Sequence, residues 1–305
     1  AIHASMRNLL PVVLLFAVAV FFITCNTART VSKGSNTEQD PRWAVVDSLS
    51  GQGLYASALE RSNEILADAQ AQSDWRNEFR AWSYRARFRE YMGVDMDSTL
   101  REVEERAITS ELPLKQLLHS MAAEGWWNRY QRDRWLILER TNMQEEGEDP
   151  ATWSQASFMV RVIDHYKASL SPEAALRNIS VDDLGTLLAG GPDTYLRPTL
   201  FDLLAHRALG VFANSETHLT EPAWRFTLDD PRDFELFEPF VYRKLEHRDS
   251  TAWEFQALRL FQSLEHAHLN DDAPDALVDV TLQRLGYVRE RSTLPEKDSL
   301  YLNAL

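Results

Sequence analysis

With one cysteine, 11 glycines and 12 prolines in 305 residues, the chain lacks the usual means of stapling or sharply turning a small fold. A single Cys excludes an intramolecular disulfide and any multi-Cys zinc or iron–sulfur site. Gly and Pro both fall below average usage, which leaves too few turn-formers for a sandwich or barrel of many short strands. Positive charge is also scarce: 32 Lys and Arg face 46 Asp and Glu, a formal net charge of -14. Nucleic acid is therefore not an expected partner, because phosphate binding needs clustered basic residues. Long apolar runs are missing except for one, from Leu9 to Ile23.

That run follows Met6-Arg7 and ends at Thr24-Cys25-Asn26. It has the length of a signal-peptide core and falls short of the roughly 20 residues that span a bilayer. The arrangement resembles a bacterial lipoprotein signal, in which the Cys becomes the first mature residue and carries lipid. Phe22, Ile23 and Thr24 stand where Leu, Ala or Gly are commoner, and the alternative is an uncleaved anchor helix with an incidental Cys. Met6 reads as the start of translation. The expected organisation is a signal peptide over 1–24, lipid attachment at Cys25, a flexible Thr-, Ser- and Asn-rich tether over 25–40, and a helical region over 41–305. Either form of attachment places the chain in a bacterial cell envelope, membrane-anchored, on the periplasmic side or at the cell surface.

From Pro41 onward the apolar spacing is helical nearly throughout, and no segment alternates with period two for long. Asp40-Pro41 has the form of an acidic cap followed by a first-turn proline. Trp43, Val46 and Leu49 follow on one face, with Gly51 and Gly53 as the stop. Residues 54–71 and 74–92 form a helical hairpin of tetratricopeptide-like length without that repeat's full consensus. Leu100, Val103, Ala107 and Ile108 mark a further helix, and Pro113 opens a long one through Leu138. Ser171-Pro172-Glu173 and Asp230-Pro231 read as further helix starts. Gly190-Gly191-Pro192 is the clearest break, and 213–233 is the least helical part. The fold class is all-α: a helical-hairpin array or solenoid, with 190–230 as the place where it could be interrupted. A closed α/α assembly is the competing arrangement.

Candidate chemistry is sparse. His266 and His268 sit at i and i+2, which point to different faces of a helix, whereas helical zinc ligation wants i and i+4. Asn270, Asp271, Asp272, Asp275 and Asp279 lack the Gly and terminal Glu of a calcium loop, so Asp271 or Asp272 is expected to cap the next helix. Trp126, Trp127, Tyr130 and Trp135 could form a sugar-stacking platform, but aromatics at this spacing are more often core. Arg129, Arg132 and Arg134 beside them are expected to pair with acids or snorkel. No nucleophile elbow, P-loop or dinucleotide fingerprint occurs. Carboxylate pairs for glycoside hydrolysis are too numerous among 46 acids to single any out. No catalytic residue, cofactor site or metal site is assigned.

Several stretches taken in order resemble the N-terminal helical region of large bacterial alpha-2-macroglobulin family proteins. They are WAVVDSLSGQGLYASALERSNEIL (43–66), LLHSMAAEGWWNRYQRDRW (117–135), RPTLFDLLAHRALGVF (197–212), FTLDDPRDF (226–234), HLNDDAPDALVDVTLQRLGYV (268–288) and LPEKDSLYLNAL (294–305). The resemblance implies a fragment of a larger protein, with macroglobulin-type β-sandwich domains beyond Leu305. Such proteins trap proteases through a bait segment and, in many members, a thioester. Cys25 is followed by Asn26-Thr27-Ala28, so it is not the thioester cysteine. The implied role is a non-catalytic module of a membrane-tethered protease trap, with proteases met by the downstream domains. The alternatives are an outer-membrane helical-repeat lipoprotein that binds glycan or protein, and an α/α-toroid glycan-cleaving enzyme.

Overall fold

Asp40 opens the first helix by accepting a hydrogen bond from the Arg42 backbone N–H (2.9 Å), as the Asp-Pro pair suggests. The computed structural model describes residues 40–139, 147, 149–187, 194–214, 226–247 and 252–305. Cys25, the apolar run and the tether up to Gln39 lie outside the described residues, as do the Gly190-Gly191-Pro192 break and residues 215–225. No helix among the described residues is long and apolar enough to cross a membrane.

The described residues form twelve α-helices: α1 (Arg42–Gly51), α2 (Tyr55–Gln72), α3 (Trp75–Tyr91), α4 (Met96–Thr109), α5 (Leu114–Leu138), α6 (Gln155–Ser169), α7 (Glu173–Leu176), α8 (Leu200–Phe212), α9 (Phe237–Tyr242), α10 (Trp253–His268), α11 (Asp275–Arg291) and α12 (Lys297–Ala304). Short 3-10 turns lie between them. No strand occurs among these residues; Ser180 and Thr199 form an isolated antiparallel bridge. The all-α reading is thus correct.

Each of α1 to α5 packs on its successor, which is the order of a helical-hairpin array. The local reason is a single apolar stripe per helix. In α2 it runs Ala58, Ser62, Ile65, Leu66, Ala69, and in α4 Thr99, Leu100, Val103, Glu104, Ala107. Gly53 and Gly93 take positive φ just after α1 and α3, so each turn closes at little steric cost. The long α5 is the hub, touching α3, α4, α6 and α8. Beyond it α8 packs on α10, α10 on α9 and α11, and α11 on α12. The 181–187 turn reaches back to α3, where Arg76 Nε donates to the Asp183 carbonyl (2.9 Å). One continuous apolar core joins all of this.

Gly125 lets α4 and α5 approach closely: a Cβ there would lie 2.2 Å from Leu100 Cδ2. Gly125→Ala is therefore expected to cost about 1–3 kcal/mol through overpacking. Leu100→Ala in the same chain should recover part of that loss in a denaturant titration. Equal effects with and without Leu100→Ala would contradict the steric reading.

Four local expectations are corrected. Ile108 is 69% exposed, on the outer side of α4 rather than in its stripe. Trp135 is 68% exposed, while Trp126, Trp127 and Tyr130 are buried. At 100° per residue, Trp135 lies about 140° round the helix from Tyr130, whereas Ile137 returns to the Tyr130 face and is buried. Ser171 does not cap a long helix: α7 has four residues, and the Ser171 carbonyl instead accepts from Gln116 Nε2 (2.7 Å). Neither Asp271 nor Asp272 caps α11, which starts without a side-chain cap.

Candidate functional site

The α4 stripe holds one charged residue in an apolar phase, Glu104, four residues after Leu100 and one after Val103. A buried carboxylate is tolerated only if its lone pairs are filled. Glu104 Oε1 accepts from Trp126 Nε1 of α5 (2.5 Å), and from Arg161 Nε (2.8 Å) and His165 Nε2 (2.7 Å) of α6. Its Oε2 accepts from Arg161 Nη2. The Arg161 guanidinium in turn lies over the Trp126 and Trp153 rings, at 5.3 and 4.7 Å. Glu104 thus ties three consecutive helices together. Burial opposes its charge, but the hydrogen bonds from His165 and Arg161 win and bring its pKa down to about 2.

The chain of contacts continues outward. His165 Nδ1 meets His119 Nδ1 of α5 at 2.9 Å. Burial, reinforced by His165 and Lys115, lowers the His119 pKa to about 4, so its ring is neutral near pH 7. These residues line a furrow between α4 and α6. Two stretches of it, about 630 and 660 Å³, share Glu104, Ile108, Ser157 and Arg161. Chemically the furrow offers a fixed ion pair and a neutral imidazole. No cluster of three or more His, Cys, Asp or Glu that could hold a metal ion occurs among the described residues.

A second polar centre lies under α10. His268 is buried; its Nε2 meets Asp202 Oδ1 of α8 (3.0 Å) and its Nδ1 meets Asp271 Oδ2 (2.7 Å). Asp202 also closes a capping box with Thr199 at the start of α8. Asp271, expected to cap α11, therefore serves His268. His266 points away and is exposed, so the two histidines occupy different faces as their spacing implies. Burial opposes the His268 charge, but Asp202 and Asp271 outweigh it and raise its pKa above the usual 6.5. A raised folded-state pKa stabilises below about pH 6.5, and that contribution is lost as pH rises through the raised value. His268→Gln should accordingly flatten the loss of stability on the alkaline side, read as Tm between about pH 6.5 and 9. An unchanged slope would contradict this pairing.

The arginines beside the tryptophans behave as expected. Arg129 pairs with Asp97 (2.8 Å) and Asp133, Arg132 contacts Asp133 (3.8 Å), and Arg134 lies over the Trp135 ring (4.8 Å). The aromatic residues do not form a platform: Trp126 packs on Trp153 and Phe158, and Trp127 on Tyr130 and Trp253. Glu104, Arg161, His165 and His119 were not singled out by sequence spacing. The one local signal was a Glu inside an otherwise apolar stripe. Comparison with protein-family models, with curated proteins and with solved structures finds no match to this chain.

Proposed function

We propose that residues 41–305 form a non-catalytic helical scaffold, tethered to a bacterial membrane through lipid on Cys25, at the head of a macroglobulin-type protease trap. Endopeptidase inhibition would reside in further domains of the parent protein. The observation that carries the reading is the ordered series of family-like segments. They fall on α1 and α2, α5, α8, the 231–234 turn, α11 and α12, so they follow the array from end to end. The charged groups support a structural role: Glu104, Glu78, Asp202 and Glu265 each join different helices. The glycan-binding alternative required an exposed row including Trp126 and Tyr130, and both are buried.

Mass spectrometry of the N-terminal peptide from the native envelope tests the tether. The expected result is a lipidated Cys25 as the first residue. An unmodified Cys25 within an uncleaved segment would remove the lipoprotein part of the proposal. The reading frame of the parent gene tests the rest, with β-sandwich repeats expected after Leu305 and a stop codon there the contrary result.

A further inference from the structure

Arg87 on α3 is anomalous in so acidic a chain. Its Nε is buried without a hydrogen-bond partner, and no carboxylate forms an ion pair with it among the described residues. By contrast, the unpartnered Nε atoms of Arg80, Arg177 and Arg243 belong to side chains that hold a carboxylate elsewhere on the guanidinium, and Arg197, which shares the lack of an ion pair among the described residues, lies outside the groove described next. The Arg87 guanidinium is held in place by rings, 4.5 Å from the Tyr84 centroid and 5.4 Å from Phe88. A fixed planar fork without an anion is a preformed carboxylate receptor.

It borders a groove between α3 and α5, with α4 as floor. Phe79, Met96, Leu100 and Met121 supply apolar surface, and methionines adapt to irregular shapes. Asn128 adds a polar group suited to a peptide backbone, while the Ser83 hydroxyl donates to the Phe79 carbonyl. Two acids line the same groove: Glu124 is committed to Arg207 of α8, and Glu90 stands exposed. The space is about 130 Å³. That suits one large side chain rather than a drug-sized molecule, whose pockets run to roughly 300–1,000 Å³.

We propose that this groove docks a protein segment presenting a large apolar side chain beside an Asp or Glu side chain. The apolar residue enters between Met96 and Met121, and the carboxylate takes the Arg87 fork. This goes beyond the scaffold role and does not depend on a protease trap or on the lipid.

The test uses the full chain in lipid nanodiscs against a peptide array. Each peptide carries Leu, Met or Phe next to each of the twenty residues, in internal and C-terminal positions. Signals are expected to concentrate on peptides with Asp or Glu, and signals that follow the free C-terminus instead would contradict the assignment. The strongest peptides, titrated by fluorescence anisotropy, should weaken at least about tenfold with Arg87→Gln and by a smaller factor with Arg87→Lys, which keeps the charge but not the planar fork. Ala86→Trp, which narrows the groove while leaving Arg87 in place, should also abolish binding. Circular dichroism confirms that each variant is folded. The proposal is overturned if no peptide saturates below about 1 mM, if neutral neighbours bind as well as acidic ones, or if Arg87→Gln in a folded protein leaves the pattern unchanged.

Discussion

Replacing Arg284 with Ala is expected to cost about 3–5 kcal/mol of folding stability, or roughly 10 °C in Tm for a domain of this size. Arg284 and Glu265 are both fully buried and meet at 2.7 Å, joining α11 to α10. The other two guanidine nitrogens of Arg284 donate to the Asp233 and Glu235 carbonyls (2.5 and 2.7 Å), and its plane lies 3.9 Å from the Phe240 ring centroid. Truncation leaves Glu265 charged or protonated in the core with nothing to pair, and leaves two carbonyls open. Burial pushes the Glu265 pKa up and the Arg284 pKa down, against the pull of each partner on the other. Desolvation is therefore large and offsets much of the attraction between the two charges. The double change Arg284→Met with Glu265→Leu should cost clearly less than either single truncation, because it removes the unpaired charge along with the pair. A double variant as unstable as the sum of the two singles would contradict this.

Glu104→Ala is the second large effect, again about 3–5 kcal/mol, since Arg161, His165 and the Trp126 indole all lose their acceptor. Glu104→Gln keeps the shape and one acceptor, and should cost less. The wild-type chain should also weaken in acid through two steps. His119 has a depressed pKa of about 4, so between its usual value near 6.5 and that value only the unfolded chain takes the proton. Stability falls as pH drops across that window, and His206, lowered mainly by burial, acts in the same direction. Glu104 contributes above its ordinary value near 4.5 and loses that contribution as pH falls toward about 2. His119→Gln should remove part of the upper step and leave the lower one, as read by Tm from pH 7 to 3. Identical profiles for variant and wild type would show that the His119–His165 contact carries no such linkage.

The helices were legible because their signal is local. The stripes of α2 and α4, the Asp40 cap and the glycine stops all lie within a few residues of one another. Even the phase error at Trp135 was arithmetic that the sequence allowed. The polar centres were not legible, since their partners are far apart along the chain. Glu104 meets Arg161 and His165 across 57 and 61 residues, and His268 meets Asp202 across 66. Asp271 illustrates the ambiguity: an Asp ahead of a Pro-started helix satisfies the capping pattern, yet the buried imidazole one turn earlier competes for it and wins. Arg87 carries no sequence signal at all, because what marks it is the absence of an acid that only the packing reveals.

The central functional proposal is tested most directly on the intact parent protein, extracted from the envelope and incubated with an endopeptidase such as trypsin. A trap headed by this scaffold should suppress cleavage of casein while sparing hydrolysis of a small chromogenic peptide, because the enclosed enzyme keeps its active site and loses access to large substrates. If casein and the small peptide are both cleaved at the rates of free trypsin, or both inhibited in proportion, the protein is not a protease trap.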